Sequence, residues 1–343
     1  MATADTVQSR LVVVVASLAL ALAAIAAPSA QTRARRKAVP RRPPARSTAP
    51  SPPKLDCGDY VGFQVLLDRE GFSPGQIDGR PGVNFSHALA AFQQAHGVEP
   101  SGNPDCDTWH ALGGETTAPT IDSYTITDED AKGPFTEAIP PDLDKQAQLP
   151  ALGYTSLVEK IAERFHESPA LLRQMNKGVA LDAGATIQVP AVPPFIATAK
   201  PLAAPGGNDV AIQVSRDDSS VRATRSDGTV VLFAPVTTGS EHDPLPEGTW
   251  KVTRVNWWPE FHYNPKLFWD AKPDQARATL KPGPNNPVGV AWIGLTLEHY
   301  GLHGTPEPGN IGHTESHGCV RLTNWDAAHL AALVKPGTPV LFR

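Results

Sequence analysis

DVAIQVSRDDSSVRATRSDGTVVLFAPV, residues 209–236, sets three short runs rich in β-branched residues between Asp, Ser and Gly. This is the pattern of strands joined by tight turns. The same texture continues in GTWKVTRV (248–255), GVAWIGL (289–295) and TPVLFR (338–343), and WDAAHLAALV (325–334) supplies one helix. Six or more short strands at this spacing favour a sandwich or barrel over a parallel α/β sheet. Residues 205–343 are therefore expected to form one β-rich, β-sandwich-like domain.

The chain has 343 residues, more than a single core usually organises, so a multidomain protein is expected. Residues 11–27 are an uncharged apolar run behind Arg10, and small residues follow it. Residues 1–30 read as an export signal, with a retained anchor as the alternative. Residues 31–54 hold eight basic side chains, no acid and many prolines. Such a segment cannot build a core and reads as an extended tether. Its charge also suits weak contact with anionic lipid headgroups or anionic wall polymers. Residues 55–343 then carry 21 basic and 34 acidic side chains, a formal charge of about −13, which argues against nucleic acid as a partner.

Within 55–114, helical spacing in YVGFQVLLDR, a Gly-rich turn GQIDGRPG, a second amphipathic stretch SHALAAFQQAHG and a third start at DCDTWHAL predict three short helices. Asp78-Gly79, Phe92-Gln93, His96-Gly97 and Thr108-Trp109 resemble the pattern of three-helix peptidoglycan-binding domains. Residues 115–150 are polar, carry prolines and show no sustained period, so they read as a linker. In 151–195, Ser156 with Glu159 forms a capping-box signature, Ser168-Pro169 opens a second helix, and GATIQVPAV reads as a strand. With Asn176 and Ile187–Pro190 at matching places, this segment resembles a degenerate lysin motif that departs from the pattern at its first strand.

Three cysteines in an exported chain leave one without an internal partner. Cys57 and Cys106 stand at the two ends of the small helical segment, where a disulfide can staple a domain with a limited core. Cys319 is then the free thiol. It lies in HGTPEPGNIGHTESHGCVRL, residues 303–322, with His303, His313 and His317. A nucleophilic thiol needs a base, a group that orients the base, and donors for a developing oxyanion. His303 can return to the thiol across a loop, and the N–H groups of Gly318 and Cys319 can converge on an oxygen. Zinc is the rival reading, with His303, His313, His317 and Cys319 as four ligands, but the closely spaced ligand pairs of the usual zinc sites are missing.

His303-Gly304-Thr305 followed by Ser316-His317-Gly318-Cys319-Val320-Arg321 resembles the catalytic signature of L,D-transpeptidases, and PLPEGTW (244–250) and GPNNPVGVAWIGL (283–295) are similar to other stretches of that family. The resemblance implies Cys319 as nucleophile and His303 as base, with the Gly304 carbonyl orienting the imidazole. It implies Ser316, His317 and Gly318 as supporting residues, and Arg321 as a ligand for a substrate carboxylate or a brace for the loop. Trp257, Trp258 and Tyr263 are candidates to line the cleft, but aromatic residues in a β domain are more often core, and they are left out of the catalytic set. No metal or cofactor is expected. The substrate is expected to be peptidoglycan, both tetrapeptide stems and glycan, in the periplasm or cell wall. The expected reaction is 3→3 cross-linking through a cysteine thioester with loss of D-Ala. The alternatives are an L,D-carboxypeptidase, attachment of a protein amine to the stem, and a non-enzymatic wall-binding protein. A base at His303 is further expected to make Cys319 alkylate at neutral pH faster than an ordinary cysteine.

Overall fold

The computed structural model describes residues 52–202, 209–272 and 275–343. The expected signal at 1–30 and most of the tether at 31–54 lie outside the described residues. Among the described residues no helix is long and apolar enough to cross a membrane.

The first lobe holds α1 (Tyr60–Arg69), α2 (Val83–Ala95) and α3 (Cys106–Ala111). Asp59 caps α1 by accepting from the Gly62 N–H, and Asp105 caps α3 by accepting from the Thr108 N–H. Phe63, Leu67, Leu89 and Phe92 are buried between the helices. Gln93, wholly buried, accepts from the Gly102 N–H at 2.8 Å and donates to Thr108 Oγ1 at 2.7 Å. A disulfide joins Cys57 to Cys106 across 49 positions. In the chain-entropy account a loop of this length contributes about 4 kcal/mol, a large share of what so small a core supplies.

In place of a linker, residues 115–150 carry β1 (Ile121–Thr125), α4 (Asp128–Ala131) and α5 (Leu143–Gln146). These elements span only four or five residues each, too few to print a period in the sequence. After them come α6 (Leu157–Arg164), α7 (Pro169–Met175) and β2 (Thr186–Pro190). β1 pairs antiparallel with β2, from Ile121 opposite Pro190 to Thr125 opposite Thr186. A β-α-α-β unit results, with residues 126–156 inserted after its first strand. Ser156 caps α6 as expected. Glu159 does not close the capping box on Ser156; it accepts from the Thr155 N–H at 2.6 Å and from Asn285 Nδ2 at 2.7 Å, tying this unit to the β-rich domain.

That domain contains β3 (Val210–Ser215), β4 (Ser220–Arg225), β5 (Val230–Pro235), β6 (Gly248–Trp257), β7 (Phe261–Tyr263), β8 (Ala278–Leu280), β9 (Ala291–Leu295), β10 (Gly301–His303), β11 (Val320–Arg321), α8 (Asn324–Leu333) and β12 (Pro339–Phe342). Eight strands form one sheet in the order β11-β10-β9-β6-β12-β3-β4-β5. β10 and β11 are parallel, as are β12 and β3; the other neighbours run antiparallel. The two halves expected of a sandwich-like domain are joined in a single curled sheet. β6, ten residues long, pairs with β12 and with β9, and its register shifts between Val252 and Arg254, the kind of irregularity that bends a strand. Val214, Val221, Leu232, Ile293, Leu302 and Leu330 of α8 belong to its continuous apolar core. β7 and β8 form a separate hairpin.

The helical lobe is built onto the outer strand of this sheet. The Phe233 N–H donates to the Gly71 carbonyl at 2.7 Å, and the Ser73 N–H donates to the Phe233 carbonyl at 2.8 Å. The Phe233 side chain joins the apolar cluster of the lobe, with Phe72 and Phe92.

Candidate active site

β10 ends at His303 and β11 starts one residue after Cys319, and the two strands lie side by side with His303 in register with Arg321. The loop between them thus brings the Cys319 segment back beside the strand that ends at His303. Cys319, His303, Arg321 and His317 all line one cleft of about 1140 Å³, together with Trp292, Tyr300 and residues of the β7–β8 hairpin.

His303 is 4% exposed. Its Nδ1 lies 2.7 Å from the Gly304 carbonyl, and because a carbonyl oxygen only accepts, Nδ1 carries the proton and Nε2 keeps its lone pair. The ring stacks on Trp292 with centroids 5.3 Å apart and planes 15° apart. Burial, helped by the nearby Arg321 charge, lowers the imidazole to about 3 against the opposing pull of the Gly304 carbonyl. His303 is therefore neutral at pH 7.

Cys319 is the free thiol. Its Sγ lies 3.6 Å from the His299 carbonyl, and His299 holds a left-handed φ of 67° that only a constrained non-glycine residue keeps. Burial pushes the thiol above its ordinary value, opposed by the Gly301 backbone N–H and by Arg321. Burial thus pushes both groups toward their neutral forms, a pull against the fast alkylation expected of the pair. Desolvation disfavours both charges, and no sequence motif displays it. Iodoacetamide is expected to modify Cys319 more slowly at pH 7 than it modifies an unburied cysteine, with the rate climbing only at a higher pH than for that cysteine. A faster reaction at pH 7 would show that the pair rests as thiolate and imidazolium.

Ser316 donates from Oγ to the Cys319 carbonyl at 2.6 Å and from its N–H to the Thr238 carbonyl at 2.9 Å, closing the turn before Cys319. Gly318 adopts φ 98°, and a Cβ there would lie 2.9 Å from the Tyr300 ring, so the position accepts only glycine. His317 is committed elsewhere: Nε2 bonds Asp270 Oδ1 at 2.9 Å, and the ring lies 5.0 Å from Phe268. This joins the catalytic turn to the segment that follows β7. Arg321 exchanges backbone hydrogen bonds with Thr237 at 2.9 and 3.0 Å, while its guanidinium, held below its usual range by burial, faces the cleft.

His313 stands apart. It lines a small second cleft with Gln76, Arg80 and Asn84 of the helical lobe, so the four residues of the zinc reading are not assembled. Among the described residues no group of three or more His, Cys, Asp or Glu is placed to hold a metal ion. Trp257 and Trp258 pack on the core, and Tyr263, 5% exposed, is both buried and part of the lining of this cleft. Tyr300, Trp292 and Asp270 were not singled out by sequence. Tyr300 immediately precedes the strand that delivers His303, and this proximity is its one signal in the sequence.

Residues 209–341 match the family model of the L,D-transpeptidase catalytic domain, and residues 61–112 match that of the "Putative peptidoglycan binding domain". The chain is 45% identical over 60 residues to the "Putative L,D-transpeptidase YkuD" of Bacillus licheniformis, covering 18% of this chain and 36% of that protein. It is 33% identical over 111 residues to the "Putative L,D-transpeptidase YqjB" of Bacillus subtilis, covering 31% and 56%. The chain thus spans between about a third and just over half of the length of these curated relatives. Among solved structures, an L,D-transpeptidase from Mycobacterium smegmatis aligns at 21% identity and a TM-score of 0.33, covering 39% of this chain and 58% of that one.

Proposed function

We propose that this chain, which carries an L,D-transpeptidase catalytic domain behind an N-terminal peptidoglycan-binding domain, forms 3→3 cross-links between peptidoglycan stems through a thioester on Cys319. The observation that carries the reading is the meeting of His303 and Cys319 in one cleft, with the imidazole proton held on Nδ1 by the Gly304 carbonyl. That leaves Nε2 as the base.

In this mechanism Cys319 Sγ attacks the carbonyl of the third stem residue as His303 Nε2 takes the thiol proton. The Gly318 and Cys319 N–H groups receive the oxyanion. The C–N bond to the terminal D-Ala breaks, His303 returns the proton to the departing amine, and a thioester remains. The side-chain amine of the third residue of a second stem then attacks the thioester. The C–S bond breaks, and His303 carries the proton from the new amide nitrogen to the thiolate. Arg321, which lines the cleft with Arg254, is a cation available to a stem carboxylate. The bond energy stays in the thioester, so neither ATP, metal nor cofactor is required. The helical lobe, and the β-α-α-β unit as a second wall-binding module, would raise the local concentration of substrate. The enzyme would work in the periplasm or cell wall, with residues 1–30 as the export signal.

The test is mass spectrometry of products after the purified chain is incubated with disaccharide tetrapeptide, beside its Cys319→Ala variant. A cross-linked dimer that has lost one D-Ala, absent with the variant, supports the transpeptidase. Tripeptide without dimer assigns an L,D-carboxypeptidase instead, and identical products from both proteins remove Cys319 from the chemistry.

A further inference from the structure

The carbonyl that orients His303 belongs to Gly304, and Gly304 is packed against the side chain of Asn324, the first residue of α8. A Cβ on Gly304 would lie 2.2 Å from Asn324 Oδ1, and one on Gly289 would lie 2.1 Å from the same atom. Both glycines are thus pressed onto this amide. Asn324 is wholly buried. Its Oδ1 accepts from the Val290 N–H at 3.2 Å, and the next residue, Ala291, accepts the Gly304 N–H at 3.3 Å. Its Nδ2 donates to the Pro284 carbonyl at 3.0 Å and to Glu163 Oε1 at 2.7 Å.

Glu163 lies on α6, in the β-α-α-β unit, 161 positions from Asn324. It is 8% exposed, and its carboxyl also takes a hydrogen bond from Tyr154, just before that helix. A carboxyl buried this deeply costs stability unless its bonds do something an apolar residue cannot. Here they set the rotamer of the one side chain on which the Gly304 backbone rests.

We propose that Glu163 is a positioning residue for the catalytic histidine: through Asn324 it fixes the Gly304 backbone and so the tautomer and aim of His303. The β-α-α-β unit is then part of the catalytic apparatus as well as a neighbour of it. The proposal rests on His303 acting as the base.

The decisive comparison, made in the full chain, is Glu163→Met, which keeps the length and loses both acceptors, against Glu163→Gln, which keeps an acceptor for Asn324 Nδ2. Thioester formation with disaccharide tetrapeptide is followed by intact mass, and the His303 tautomer by nitrogen-15 NMR of the imidazole. Glu163→Met is expected to lower kcat for acylation by roughly ten- to a hundredfold with KM unchanged, and to release His303 into a mixture of tautomers; Glu163→Gln is expected to restore both. Should Glu163→Met fail to fold, Asn324→Ala cuts the same link at its other end. It is expected to give the same kcat loss, and Asn324→Ala combined with Glu163→Gln is expected to be no worse than Asn324→Ala alone.

A folded Glu163→Met protein with wild-type kcat and a single His303 tautomer would overturn the proposal. So would equal impairment of Glu163→Gln and Glu163→Met, or Asn324→Ala with full kcat. If the wild-type chain forms no thioester, the proposed function fails; the NMR comparison still decides whether Glu163 governs the imidazole.

Discussion

Under the proposed mechanism, thioester formation on Cys319 should slow by roughly 10²- to 10⁴-fold when His303 is replaced by Gln. Gln is neutral, as the buried imidazole is, and its amide nitrogen can still donate to the Gly304 carbonyl that now receives Nδ1. The substitution therefore removes the Nε2 lone pair with little change in local charge. The remaining rate would come from the oxyanion donors and from substrate binding. The pH profile separates this role from a general loss of structure. Burial keeps His303 deprotonated down to about 3 and holds the thiol above its ordinary value. The base is thus in its active form throughout the neutral range, and the wild-type acylation rate should be flat from about pH 5 to 8. In the variant the rate should rise with pH as thiolate appears, because the thiol must then lose its proton without help. Stopped reactions analysed by intact mass measure both profiles. A wild-type limb centred near pH 6.5, or a variant that acylates at the wild-type rate, would take the base assignment away from His303.

Replacing Glu167 with Gln should stabilise the protein by about 3 kcal/mol at pH 7. Glu167 sits between α6 and α7, wholly buried, and neither of its carboxyl oxygens has a hydrogen-bond partner among the described residues. Burial lifts it from 4.5 to about 9. The folded protein therefore keeps a proton there that the unfolded chain releases near its ordinary value. Stability from this group is complete below about pH 4.5 and falls progressively as pH rises toward about 9. Gln has the shape of the protonated acid and nothing to titrate, so the variant should lose that slope and gain most at high pH. Urea midpoints at pH 5, 7 and 9 for both proteins measure the difference. Parallel curves would mean that Glu167 stays ionised when folded and has found a compensating partner.

The strands of 209–236 were readable because β3 and β4 alternate, β5 runs apolar, and each pairs with its sequence neighbour. The placing of β12 between β6 and β3 was not, since nothing local to residues 339–342 names partners more than eighty positions away. β1 escaped for a related reason: IDSYT is mostly solvent-facing, and its partner lies some sixty residues downstream. At the site, His303 and Cys319 were visible as residue types in a motif. Asn324 and Glu163 were not, because one is an ordinary helix start and the other an ordinary helical acid until the fold sets them 2.7 Å apart. The upward push on the thiol was equally hidden, since it depends on how much water the folded walls exclude.

The contact of Gly71 and Ser73 with Phe233 has a meaning for solubility. β5 closes one margin of the eight-stranded sheet, and an uncovered margin offers unpaired N–H and C=O groups to any passing chain. Backbone bonds from the helical lobe occupy those groups at Phe233, and Phe72 lies over the apolar side chain beside them. The helical lobe thereby acts as a guard against edge-to-edge association. A catalytic domain cut free of it would carry an adhesive strand, with aggregation rather than lost chemistry as its first defect.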